Sequence, residues 1–115
     1  MKLFTQAAGV GNAEAQYYYA NYYYEGNAVK QNYETAVEWF SKAAEQGHKY
    51  AQYSLGDCYF NGEGVEQNYE EAIGYYEKSA AQGYDKAQYK IGVCYFEGKG
   101  VEQDYVKAVE YFTLA

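Results

Sequence analysis

The chain is written three times over. With a period of 36 residues, AQYSLGDCYFNGEGVEQNYEEAIGYY from Ala51 aligns with AQYKIGVCYFEGKGVEQDYVKAVEYF from Ala87, and about half the aligned positions are identical. The same shift backward reaches AQYYYANYYYEGNAVKQNYETAVEWF from Ala15, and LFTQAAGVGN at the start matches WFSKAAEQGH from Trp39. A unit this short cannot bury a hydrophobic face alone, so its copies must stack. A period of this size is that of αα-hairpins piled into a solenoid.

Each unit reads as two helices. In helix A, Ala51, Leu55, Cys58 and Tyr59 fall at i, i+4, i+7 and i+8, on one face. Asn61-Gly62 stops it, Gly62-Glu63-Gly64 supplies the turn, and Val65 tucks the loop against the hairpin. Helix B opens at an N-cap position held by Asn32, Asn68 and Asp104, each followed by tyrosine; only Asn68 with Glu71 forms a capping-box pair. Tyr69, Ala72, Ile73 and Tyr76 point inward, and Gly47 or Gly83 ends the helix. Gly74, equivalent to Glu38 and Glu110, faces solvent. The prediction is an all-α fold, an α/α superhelical solenoid of about three 36-residue helix-turn-helix repeats starting and ending within helix B. It is one domain over 1–115, with a partial helix at 1–12 and repeats at 13–48, 49–84 and 85–115.

The repeated residues carry a family likeness. The pattern AQYxLGxxYxxGxGVxQxYxxAxxWYxKAAxQG is met as Ala51-Gln52-Tyr53, Leu55-Gly56, Tyr59, Gly62, Gly64-Val65, Tyr69, Ala72, Tyr75-Tyr76 and Gln82-Gly83. It resembles the Sel-one-like repeat (SLR) family, a relative of the tetratricopeptide repeat (TPR), over nearly the whole chain. The chain departs from it at Lys30, Glu66 and Glu102, where a proline often follows the loop valine. In the first repeat Ala28 replaces the loop glycine and Ala20 the helix glycine.

The tyrosine-rich run QYYYANYYYEG, from Gln16, is thereby a helix A. Tyr17, Tyr23 and Tyr24 match Tyr53, Tyr59 and Phe60, whereas Tyr18, Tyr19 and Tyr22 replace Ser54, Leu55 and Cys58. A buried tyrosine needs a partner for its hydroxyl. Gly56 and Gly92 recur within helix A, where glycine costs about 1 kcal/mol. Their reason is room for helix B aromatics to cross.

The resemblance implies an adaptor or scaffold whose A helices line a concave face. On that arrangement a partner-binding groove is formed by Tyr17, Asn21, Tyr24, Tyr53, Asp57, Phe60, Asn61, Tyr89, Phe96 and Glu97, with Glu25 and Val93 completing the three equivalent sets. Such an aromatic ladder, with acidic and amide residues between, suits an extended or helical peptide. The alternative is that these rings pack sideways between successive A helices.

Other chemistry finds little support. A net charge of -7 with no arginine opposes nucleic acid and a basic membrane-surface helix. No apolar run approaches the roughly 18 residues of a membrane span. The start is too short in apolar residues for a secretory signal, and two cysteines are too few for a disulfide scaffold, so the expected location is cytoplasmic. Cys58 and Cys94 are repeat-equivalent and are expected to be free core thiols. His48, the only histidine, is expected to be a polar surface residue without a metal. Gly98-Lys99-Gly100 is a turn, lacking the context of a phosphate loop. No cofactor is called for, and the carboxylates gather at helix B starts and in loops, not as a catalytic pair.

The leading expectation is therefore a protein-interaction module with no chemistry of its own. Two alternatives stay open. Cysteine-rich relatives are linked to penicillin binding and hydrolysis, though they pair cysteines within each hairpin and this chain has one per repeat in two repeats. The chain could also be an excised or designed array with no native role. Its two ends, with Leu3 and Phe4 at one and Val109 and Phe112 at the other, are complementary as adjacent repeats are, so weak head-to-tail self-association is a further expectation.

Overall fold

The computed structural model describes residues 11–26 and 30–115. Among these, six helices follow in order: α1 Ala13–Glu25, α2 Tyr33–Glu45, α3 Lys49–Asn61, α4 Tyr69–Ala80, α5 Asp85–Glu97 and α6 Tyr105–Leu114. Helices α1, α3 and α5 are the A helices of three hairpins, completed by α2, α4 and α6. The main contacts run between consecutive helices, within each hairpin and across α2–α3 and α4–α5. Stacking in sequence order gives an elongated all-α solenoid of 47 × 25 × 19 Å. The partial helix expected at the start, with Leu3 and Phe4, and Ala28 of the first loop lie outside the described residues.

One set of side chains closes every hairpin. Asn32, Asn68 and Asp104 accept from the backbone N–H of Thr35, Glu71 and Lys107 at 3.1, 3.1 and 3.0 Å. A cap of this kind contributes about 1 kcal/mol. Their own N–H groups return to the carbonyls of Tyr23, Tyr59 and Tyr95. The preceding glutamines, Gln31, Gln67 and Gln103, donate to the carbonyls of Tyr24, Phe60 and Phe96 and to the hydroxyls of Tyr33, Tyr69 and Tyr105. The tyrosine after each cap is thus an acceptor as well as a ring. The glutamine satisfies a helix A carbonyl left over at the helix end.

Where helix B crosses helix A, the backbone must come close. A Cβ on Gly56 would stand 2.7 Å from the Tyr76 ring, and one on Gly92 2.7 Å from Phe112. Ala20 holds the same place in the first repeat, over a buried Phe40. Of these three rings only Tyr76 carries a hydroxyl, and it donates to Asp57 Oδ1 at 2.5 Å. The repeats that place phenylalanine there have Asn21 and Val93 at the Asp57 position.

The second loop glycine docks the second and third repeats each on the one before. Gly64, at φ 76°, would put a Cβ 2.5 Å from the Tyr33 carbonyl oxygen; Gly100, also at φ 76°, would meet Ile73 and Tyr69. Val65 packs on the core as expected. Gly74 is exposed with open space around it. Of the surplus tyrosines, Tyr18 is exposed while Tyr19 and Tyr22 are half-buried: Tyr19 sets its ring edge-on to Trp39 at 4.8 Å and shares a hydroxyl contact with Tyr23 at 3.4 Å. Leu55 and Cys58, at the positions of Tyr19 and Tyr22, are fully buried.

Candidate functional site

The sequence-predicted groove residues all lie on the A helices, yet their surroundings divide them. Tyr17 is half-buried, stacked on His48 at 4.8 Å and tilted against Phe40. Tyr24 packs against Phe40 and Tyr33 and donates its hydroxyl to Glu63 Oε1 at 2.7 Å. Tyr53 lies between Tyr76 and Tyr84, with ring centroids at 5.6 and 5.2 Å. Phe60 rests on Tyr69, with the ammonium groups of Lys90 and Lys99 at 4.9 and 5.5 Å from its centroid. These four rings pack sideways as well as facing out. Asn21, Asp57 and Val93 are half-buried, while Glu25 and Asn61 are exposed.

Only the third repeat presents its rings freely. Tyr89 is 55% and Phe96 52% exposed, each leaning on one helix B ring, Phe112 and Tyr105 respectively. Exposed Glu97 pairs with Lys99 at 3.3 Å. Beside Tyr89 a cleft of about 390 Å³ opens, lined by Tyr53, Asp85, Lys86, Tyr89, Lys90 and Ala115. Its lysines went unnoticed in the sequence. Their signal was positional: Lys86 follows Glu14 and Tyr50 at one repeat position, and Lys90 follows Tyr18 and Ser54 at another.

His48 corrects an expectation. It is not a surface residue but half-buried, and its Nδ1 accepts from the Ala51 N–H at 3.1 Å as the N-cap of α3. Burial holds its pKa below the ordinary 6.5, against a smaller upward pull from Glu14. A neutral imidazole is what the cap requires, since a protonated Nδ1 cannot accept. At the next junction Tyr84 takes this position and makes no side-chain cap bond.

The remaining titratable groups are tuned by packing. Burial raises the Asp57 pKa, and Glu63 adds to this; the Tyr76 hydroxyl and Lys90 oppose it. Cys58 and Cys94 are free and buried, with burial pushing their thiols up to about 12 and about 11. A nucleophilic cysteine needs the opposite shift. Among the described residues no cluster of His, Cys, Asp and Glu could hold a metal ion, and no helix is long and apolar enough to cross a membrane.

Three stacked αα-hairpins with a loop glycine seated on the preceding repeat define an α-solenoid of the TPR-like class. The Sel1 repeat family matches residues 13–48, 49–84 and 85–115, and the chain belongs to that family. It is 42% identical to a protective antigen of uropathogenic Escherichia coli strains that displays an SLR fold, with a TM-score of 0.95 over 98% of this chain and 24% of that one. It is 38% identical to a Sel1 repeat protein from Oxalobacter formigenes, with a TM-score of 0.87 over 91% of this chain and 43% of that one. Helicobacter pylori cysteine rich protein B shares the fold, at 23% identity and a TM-score of 0.71 over 75% of this chain and 65% of that one. The chain thus spans less than half the length of the first two. No curated protein matches it. Sel1-repeat proteins are in general non-catalytic scaffolds that mediate protein interactions.

Proposed function

We propose that the chain binds a peptide or protein on the face lined by α1, α3 and α5, the concave face of the solenoid, and performs no chemistry there. The observation that carries this is the ladder itself: a ring recurs on helix A at 17, 53 and 89 and again at 24, 60 and 96, and none of the six is fully buried. Exposed rings held by a rigid helix offer contact area at low entropic cost, and such anchors dominate interfaces. The two unpaired thiols suit a reducing compartment, the cytoplasm. No particular feature favours β-lactam chemistry, because each cysteine is buried and raised in pKa.

The test is affinity capture from native lysate with the wild-type chain and with Tyr89→Ala combined with Phe96→Ala. These rings are chosen over Tyr24 and Phe60, whose loss would disturb packing. The proposal expects the captured protein to disappear with the double variant while helicity and melting temperature stay near wild type. Equal capture by both would remove this face as the binding surface.

A further inference from the structure

We propose that Asn61-Gly62 is a site of spontaneous backbone modification, shut while the second hairpin is closed and opened when it loosens, at which Asn61 becomes aspartate or isoaspartate. The inference does not depend on the interaction face proposed above and concerns the turn that joins α3 to α4.

The chemistry needs an asparagine followed by a backbone nitrogen that no side chain shields. Asn12 and Asn27 precede alanine, and Asn21, Asn32 and Asn68 precede tyrosine; only Asn61 precedes glycine. The Gly62 nitrogen, giving its proton to water, attacks the carbonyl carbon of the Asn61 side chain. A C–N bond forms, the amide nitrogen takes a proton from water and leaves as ammonia, and a five-membered succinimide closes. Water then opens either carbonyl of the ring. One opening gives aspartate, the other isoaspartate, whose main chain runs through the former side chain. Water is the only co-reactant, and nothing is oxidised or reduced. The equivalent pairs, Glu25-Gly26 and Glu97-Gly98, carry a carboxylate with no amine to expel.

Asn61 is exposed, so water is at hand, but the fold holds both reactants back. Asn61 is the last residue of α3, and ring closure must turn its ψ far from the helical value of about −40°. The nucleophile is engaged as well: the Gly62 N–H, at φ 71°, donates to the Cys58 carbonyl. The Glu63 N–H shares that acceptor at 2.9 Å. Behind this turn Gln67 Nε2 donates to the Phe60 carbonyl at 2.9 Å, and the Asn68 N–H to the Tyr59 carbonyl at 2.8 Å. The pair reacts when these bonds let go, in a local opening that costs less than unfolding the whole chain. Aspartate then matches the carboxylates that the other two repeats already hold here, at Glu25 and Glu97. Isoaspartate inserts an extra backbone carbon between α3 and its Gly62 cap, so the bonds across the turn cannot all re-form. The second hairpin thereby keeps a chemical record of having opened.

The experiment incubates the folded chain, the chain in graded urea, and a synthetic peptide of residues 59–66 in one mildly alkaline buffer. Peptide mapping by mass spectrometry locates the conversion, and enzymatic methylation marks isoaspartate. Asn61 should convert before every other asparagine. The folded chain should lag the peptide by about tenfold or more, and the lag should vanish through the unfolding transition. Gln67→Ala, at an exposed position, removes the bond to the Phe60 carbonyl and should speed conversion of the folded chain about threefold, with melting temperature confirming that the fold persists. Asn61→Glu, which copies the first and third repeats, should abolish conversion there and leave helicity unchanged. Conversion as fast in the folded chain as in the peptide would overturn the gate, and so would a Gln67→Ala rate equal to wild type. Another asparagine converting first, or an inert Asn61 in the unfolded chain, would overturn the site itself.

Discussion

At the junction of the first and second repeats, the Tyr24 hydroxyl bonds Glu63, and His48 both caps α3 and stacks on Tyr17. One repeat later the same positions hold Phe60 under the Lys99 ammonium, and an uncapping Tyr84 set edge-on to Tyr53. A directional hydrogen bond has been exchanged for a cation over a ring, and an imidazole for a phenol. What persists across both is backbone: the loop glycine seated on the preceding helix B, and a buried or half-buried glutamine of helix A reaching back to it, Gln52 to the Ala44 carbonyl and Gln88 to that of Ala80. The superhelix therefore depends on close backbone approach, while side chains at the seam adjust the strength and pH response of each junction.

The largest effect should come from the glycines. Gly64→Ala puts a methyl group against the Tyr33 carbonyl and the Glu34 nitrogen, none of which can turn aside, at a backbone angle alanine rarely adopts. It should cost about 2–3 kcal/mol. Gly100→Ala meets the movable end of Ile73 as well as Tyr69 and should cost less. Urea denaturation of the two variants decides: equal losses would show that the shared positive φ, not the neighbour, sets the cost.

A smaller difference is expected from the seam side chains. Tyr24→Phe should destabilise by about 1.5 kcal/mol, the lower end for a hydrogen bond to a charged group. Lys99→Met should cost about 0.5 kcal/mol, the lower range for an exposed cation over a ring. A double-mutant cycle of Tyr24→Phe with Glu63→Gln should show coupling; additive losses would remove the bond from any account of the junction.

The smallest effect separates the junctions by pH. An imidazole whose folded pKa lies below 6.5 is protonated more readily in the unfolded chain. Its contribution is fully present above about 6.5 and is lost as pH falls through the lower, folded value. His48→Tyr copies the second junction into the first. It should lose the cap, at about 0.5–1 kcal/mol near neutrality, and flatten the decline in stability below pH 6.5. Melting temperatures at three pH values between 8 and 5 would show this, and an unchanged slope in the variant would assign the decline to other groups.

The parts of this molecule that could be read from sequence are those fixed within a single repeat. Asn32, Asn68 and Asp104 cap the helices they precede, and Gly56 and Gly92 admit the rings that cross them, because each such device repeats in register. The ladder positions could likewise be placed on one face of helix A. What covers each ring could not, since Phe60 takes its cover from Lys90 and Lys99 of the next repeat. Tyr24 and Glu63 stand 39 residues apart in the chain, and neither helix pattern names the other as partner. His48 reads as a polar loop residue until the turn after Gly47 aims its Nδ1 at Ala51. The Asp57–Tyr76 bond was the missed opportunity: phenylalanine goes with Asn21 and Val93, tyrosine with aspartate, and that pairing is visible in the sequence itself.

Helices that make their main contacts with consecutive neighbours also determine how the molecule answers to force. Tension along the array is carried in series, through one junction after another, so no single contact shields the rest. Such an array lets go one unit at a time. A released 36-residue repeat such as 49–84 would pay out roughly 120 Å of chain. With a hydrogen bond clasping one seam and a more forgiving cation over a ring at the other, the two should yield at different loads. A protein anchored to two partners at once would then be an extensible tether as well as a scaffold, lengthening in steps whose order is set by the seams.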